Sequence, residues 1–116
     1  MTRQPSGIYK ITNNANGKVY IGQSQNIFMR RRQHFMELSS GRHPNKNMQN
    51  DWNQNNKYFR WDVLEYCSIS ELNDREKYWI DKYNALEKGY NIDWVPYKRK
   101  IKKITNRKKI GYRKRS

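Results

Sequence analysis

Two short stretches near the start of the chain, Gly7 to Ile11 and Lys18 to Gly22, are rich in apolar and β-forming residues and lie on either side of Asn13-Asn14-Ala15-Asn16-Gly17. Such stretches read as strands, and an Asn-Gly step favours the left-handed backbone of a turn, so the pair predicts a hairpin. With an even-numbered loop, Tyr9 and Tyr20 share one face of it beside Ile11 and Gly22, whereas a one-residue bulge would separate them. From Asn26 to Ser40 the period becomes helical, with Asn26 suited to cap the helix and Gly41 to end it. Ile27, Phe28, Phe35 and Leu38 form its expected inward face, and Arg31 falls in the same arc, obliged to turn its head outward.

Pro44 separates this helix from a short Asn-rich one at about Lys46 to Asn55. Tyr58 to Tyr66 reads as a third strand, with Phe59, Trp61 and Val63 alternating with Arg60, Asp62 and Leu64. A second long helix is expected from about Ile69 to Tyr83, started by a capping box of Ser68 and Glu71. Gly89-Tyr90-Asn91-Ile92 should then turn and extend to close the sheet. There are no internal repeats, and the order of elements predicts a mixed α/β (α+β) domain with helices packed on a small, mainly antiparallel sheet.

Composition changes this picture in one respect. The 116 residues include 25 Lys and Arg against 10 Asp and Glu, a net charge of +15, which favours a polyanionic partner through counterion release. Charge alone does not choose among DNA, RNA and an anionic membrane. The excess is uneven: residues 1–97 hold 14 basic and 10 acidic side chains, and residues 98–116 hold 11 basic and none acidic. A folded domain over 1–97 is therefore expected, followed over 98–116 by a basic arm, a linker to a further domain, or a solubilising tail. No apolar run suits a membrane span or a secretion signal, so a cytoplasmic protein is expected. The single cysteine, Cys67, excludes an internal disulfide and reads as a structural thiol.

Two helical positions carry candidate chemistry. Glu76 falls in the middle of the stripe Leu72, Trp79, Ile80 and Tyr83, where a carboxylate must be paired, protonated or metal-bound. A salt bridge to an internal arginine, or a register that leaves Glu76 at the stripe's edge, accounts for it equally well. Arg30 and His34, four apart, share a face of the first long helix. An arginine there can neutralise a phosphate, and a histidine can pass protons near neutral pH. Each also has a plainer reading: Arg30 as one of the surface cations Arg30-Arg31-Arg32, His34 as a hydrogen-bonded core histidine, and Tyr9 and Tyr20 as packing on a half-buried sheet.

Taken together, Gly7-Ile8-Tyr9 and Tyr20-Ile21-Gly22, Arg30 with His34, Glu76 within Arg75-Glu76-Lys77-Tyr78-Trp79-Ile80, and Gly89-Tyr90-Asn91 resemble the GIY-YIG nuclease family, over about residues 6–93. His43 stands where phage and intron-encoded members often carry a second histidine. The resemblance implies a central three-stranded sheet flanked by helices, one divalent ion per active site (Mg²⁺, or Mn²⁺), and hydrolysis of double-stranded DNA to 5′-phosphate and 3′-hydroxyl ends. It implies Glu76 as metal ligand, Arg30 as phosphate clamp, Tyr9 as activator of the attacking water, and Tyr20 as its orienting partner. His34 would accept or relay the proton from Tyr9, with Gly22, His43 and Asn91 in support. Where many relatives have an apolar residue after the arginine, this chain has Arg31.

Contacts to DNA phosphates are expected from Arg31 and Arg32 and from the arm residues Lys98, Arg99, Lys100, Lys102, Lys103, Arg107, Lys108 and Lys109. A homing-type endonuclease is the leading expectation, the chain being either an isolated catalytic domain whose C-terminal DNA-recognition domain is missing, an independently coded small nuclease, or a product whose arm itself holds DNA. A restriction or repair nuclease on the same core, told apart by the length and symmetry of its cleavage site, is the enzymatic alternative. A non-catalytic DNA-binding module is the alternative from another class, and it has no need of a carboxylate at position 76.

Overall fold

In the computed structural model, which describes residues 5–92, strand β1 (Gly7–Asn13) and strand β2 (Val19–Ser24) form the expected hairpin. Asn13 and Lys18 close it through the bond from Asn13 N to Lys18 O (2.9 Å). The loop between them is residues 14–17, an even number, with Gly17 at φ 80° supplying the left-handed conformation of the turn. Tyr9 therefore pairs with Gly22 and Ile11 with Tyr20, and the two tyrosines share a face.

Strand β3 (Phe59–Tyr66) pairs antiparallel with the other edge of β1, giving a three-stranded sheet in the order β2-β1-β3. Ile8 pairs with Glu65 but Tyr9 with Val63, so Leu64 is an extra residue in β3, a bulge directly beside Tyr9. Helices α1 (Ile27–Ser39) and α2 (Lys46–Asn55) follow the hairpin. Helix α3 (Leu72–Tyr83) follows β3, preceded by a single 3₁₀ turn at Ile69–Glu71, and the short α4 (Ala85–Lys88), which no periodicity announced, completes the order. Asn26 caps α1 by accepting from Met29 N, and Asn45 caps α2 by accepting from Met48 N. The Glu71 carboxylate accepts from Ser68 N (3.2 Å), as a capping box requires.

Each face of the sheet has its own core. Ile8, Val19 and Ile21 pack with Leu72, Ile80 and Ala85 from α3 and α4. Tyr9, Ile11 and Phe59 pack on the other face with Leu38 of α1, Met48 of α2 and Tyr90. The architecture is thus a sheet between two helical layers, as expected. Among the described residues, no helix is long and apolar enough to cross a membrane.

Three expectations about packing need correction. Phe28 is 54% exposed, and the inward face of α1 is Ile27, His34 and Leu38 together with the partly buried Phe35, while Arg31 lies exposed and unburdened by the core. The helix is rotated so that a hydrogen-bonding histidine takes the place expected for Phe28, while Phe35 still packs against Trp61 of β3. Glu76 is half-buried, at the edge of a stripe whose buried members are Leu72 and Ile80; Tyr83 lies outward, and Trp79 turns its indole N–H to Glu65 (2.9 Å). Finally, residues 89–92 form no strand. One backbone bond, from Tyr90 N to Val19 O (2.8 Å), and the side chain of Asn91 take the place of strand pairing on the free edge of β2. The expected domain boundary and the basic arm, residues 93–116, lie outside the described residues.

Candidate active site

Gly22 opens the site. A Cβ at this position would overlap the hydroxyl and ring of Tyr9, so the missing side chain is the space into which the phenol extends across the sheet. Trp61, brought opposite Ile11 on β3, stacks on the other face of the same ring, with centroids 4.4 Å apart and planes at 16°. Held from both sides, Tyr9 is 1% exposed, and its ring centroid is 6.4 Å from that of Tyr20 and 5.4 Å from that of His34.

The Tyr9 hydroxyl lies 2.6 Å from His34 Nε2, and His34 Nδ1 lies 2.8 Å from His43 Nε2. His43 Nδ1 in turn receives the backbone N–H of Asn45 (3.0 Å). A backbone N–H can only donate, so a neutral His43 must carry its proton on Nε2 and donate to His34, and a neutral His34 must carry its own on Nε2 and donate to Tyr9. Both histidines are buried. Burial chiefly, then the charge of Arg30 and the neighbouring His43, lowers His34 to about 3, and burial likewise lowers His43 against the opposing pull of Glu37. Both rings are therefore neutral near pH 7. The proton expected to pass from Tyr9 to His34 meets an N–H that already points the other way.

Burial, followed by the adjacent Tyr20, holds the Tyr9 phenol well above its ordinary value; Arg30 opposes this through its charge and a hydrogen bond. Tyr20 is raised mainly by burial, with Arg30 opposing and Glu76 reinforcing. Arg30 and Glu76 thus act with opposite sign on the same two phenols from different helices. Arg30 is half-buried and donates to Gln33 Oε1 (2.8 Å).

Glu76 reaches this edge from α3 on the other side of the sheet. Its Oε1 accepts from the Gln23 amide (2.8 Å). A second group of potential ligands, His34, Glu37 and His43, has donor atoms within 4.8 Å of one another. Both nitrogens of each of these histidines already serve the chain from Asn45 to Tyr9, so a metal there would have to break it. Hard-cation chemistry fits the Glu76 carboxylate better.

Of the residues expected in the site, Tyr9, Tyr20, Gly22, His34 and His43 come together, with Arg30 and Glu76 flanking them. Asn91 does not join the phenols. Its side-chain amide both accepts from Ile21 N and donates to Ile21 O (2.8 Å each), bracing the backbone between Tyr20 and Gly22. Arg31 and Arg32 are exposed, and the cations of the arm are outside the described residues. Residues not anticipated are Gln23, Asn45 and the buried Gln49, which accepts from His43 N (2.9 Å) and donates to Leu38 O (2.9 Å). For Asn45, the signal was its place as a helix cap after Pro44; a buried glutamine in an Asn-rich helix leaves none.

Comparison with known proteins identifies the fold and the family. Residues 5–91 match the GIY-YIG catalytic domain. The chain is 35% identical over 89 residues to intron-associated endonuclease 1 of Enterobacteria phage T4, across 75% of this chain and 36% of that protein. It thus spans about a third of the length of this curated relative. The solved catalytic domain of the homing endonuclease I-TevI superposes with a TM-score of 0.71 at 33% identity, covering 76% of this chain and 98% of that one. A point mutant of the same domain gives 0.74 at 31% identity, covering 81% and 99%. The signature read in the first two strands, the sheet order and these matches lead to one assignment: the chain belongs to the GIY-YIG nuclease family.

Proposed function

We propose that the protein is a divalent-metal-dependent DNA endonuclease of the homing type, hydrolysing phosphodiester bonds to leave 5′-phosphate and 3′-hydroxyl ends. The observation that carries this reading is the buried 2.6 Å bond between Tyr9 and His34 beside Gly22, flanked by a cation, Arg30, and a carboxylate, Glu76. A binding module has no use for a phenol wedged against a glycine and supplied with an N–H donor.

In the proposed reaction Arg30 holds the scissile phosphate and offsets the charge that grows on it. Tyr9, as the phenolate, takes the proton of the attacking water, its own proton having passed to solvent water by way of the partly exposed Tyr20 hydroxyl, because His34 occupies its other side as a donor. The same His34 N–H then remains in place to stabilise the phenolate. Tyr20 orients the phosphate or the water. Glu76 would hold the metal ion, Mg²⁺ or Mn²⁺, which when bound supplies a Lewis acid for the phosphate oxygen and a positive field beside both phenols. That field has the sign needed to counter what burial does to Tyr9 and Tyr20.

The basic arm over residues 98–116 adds affinity for duplex DNA. A further DNA-recognition region beyond this chain would supply the sequence preference, in keeping with the greater length of the phage relative. The cytoplasm of a bacterial or phage-infected cell is the setting for this activity. Cleavage of supercoiled plasmid with and without Mg²⁺ tests the proposal: the native chain should nick it only with metal, and Glu76→Ala and Arg30→Ala should not. Absence of metal-dependent cleavage by protein that still binds DNA would exclude the enzyme, and equal cleavage by both variants would exclude this site.

A further inference from the structure

Gln23 stands one residue after Gly22 on β2, so its side chain points to the opposite face of the sheet, the one covered by α3. Its amide nitrogen donates to Asn73 Oδ1 (2.9 Å) and to Glu76 Oε1 (2.8 Å). Asn73 and Glu76 are three apart on α3 and share a helical face, so one amide spans a turn of the helix and spends both its hydrogens there. A carboxylate only accepts, which fixes the orientation of the amide: nitrogen toward Glu76.

We propose that Gln23 is a positioning residue for the Glu76 carboxylate, fixing its rotamer and its approach to a divalent cation from the strand that also carries Tyr20 and Gly22. The inference rests on Glu76 being the metal ligand. An amide suits this role better than a lysine or arginine would, since it holds the carboxylate by a directed bond without cancelling the charge a cation needs. It also couples the two halves of the site. Tyr20 and Gly22 belong to β2 and Glu76 to α3, and the Gln23 side chain ties β2 to α3 at that carboxylate. Groups that orient a ligating carboxylate contribute about 10–100-fold to metal affinity in other metal sites.

The test is Mn²⁺ binding by the isolated protein, followed by calorimetry and by the Mn²⁺ paramagnetic resonance signal, for the native chain, Gln23→Met and Glu76→Ala. Methionine keeps the length of glutamine and removes the donor. The expected result is one Mn²⁺ bound by the native chain, weakened about tenfold or more by Gln23→Met, with a thermal midpoint close to native. Plasmid cleavage by Gln23→Met should regain the native maximal rate at raised Mn²⁺, so that the loss lies in half-saturation by metal and not in turnover. Native-like affinity in a folded Gln23→Met would overturn the positioning role while leaving the metal assignment intact. So would a lowered rate that added Mn²⁺ does not restore. Mn²⁺ binding that Glu76→Ala leaves unchanged would overturn the metal assignment itself, and the inference with it.

Discussion

His34 Nε2 and the Tyr9 hydroxyl, 25 residues apart in sequence, meet at 2.6 Å, and the direction of that bond is set by the backbone N–H of Asn45 two rings away. The histidine is a donor to the phenol in every neutral arrangement that satisfies the chain. Its contribution to a phenolate is therefore to stabilise it once formed.

Replacing Tyr9 by phenylalanine separates this chemistry from packing. The ring still stacks on Trp61, but the oxygen is gone and the His34 N–H is left buried without its acceptor. We expect a loss of stability of about 1–3 kcal/mol from the orphaned donor. The cleavage rate should fall about 10²–10⁴-fold, the usual contribution of a general base. Chemical denaturation and single-turnover cleavage measure the two separately; a native-like rate would remove Tyr9 from the reaction.

Gly22→Ala asks whether the phenol needs the position it occupies. The added Cβ would run into the Tyr9 hydroxyl and ring, and Trp61 behind the ring leaves no room to retreat. Overpacking of this kind costs about 1–3 kcal/mol, and the displaced phenol should lower the cleavage rate more than it lowers DNA affinity. Unchanged stability in a denaturant titration would mean that the strand moves instead of the ring.

The hairpin was legible in the sequence because two short β-forming stretches flank an Asn-Gly turn, whereas the shared face of Tyr9 and Tyr20 was one of two alternatives that only the observed register decides. The Asn26 cap, the Ser68–Glu71 capping box and the break at Pro44 were legible because each is set by a few neighbouring residues; the Asn45 cap was not read. The rotation of α1 was not legible. Ile27, Phe28, Phe35 and Leu38 satisfy a helical arc as well as Ile27, His34, Phe35 and Leu38 do, and the hydrogen bonds of His34 to Tyr9 and His43 decide between them. Glu76 was found as an anomaly, though it sits at the stripe's edge and not within it. Gln23 escaped because a polar residue near the end of a strand looks like any solvated one until α3 is laid against it.

Asn91 provides a test of support from outside the reacting groups. Its amide satisfies both the N–H and the C=O of Ile21 on an otherwise open strand edge, and Asn91→Ala unpairs both in a buried setting. A destabilisation of about 1–3 kcal/mol per orphaned group sets the scale. Hydrogen exchange should report it most strongly at Ile21, next to Tyr20. With the fold intact, the pH dependence of cleavage should not change; if it does, Asn91 bears on the titrating groups and not only on the strand.

The neutral histidine chain also makes stability depend on pH with a definite sign. His34 is lowered in the folded protein to about 3 from an ordinary value of 6.5, so below pH 6.5 the unfolded chain takes up a proton that the folded one refuses. The stability this contributes is complete above pH 6.5 and is lost progressively as pH falls toward 3, with a limiting slope of about 1.4 kcal/mol per pH unit for one such group. His43, lowered by burial, adds a term of the same sign. Denaturant titrations between pH 7 and 4 should therefore show a steep acid loss in the native chain and a shallower one in His34→Gln, whose amide does not titrate. Equal slopes would mean that His34 protonates in place, and that the chain from Asn45 to Tyr9 can reverse its direction without unfolding the domain.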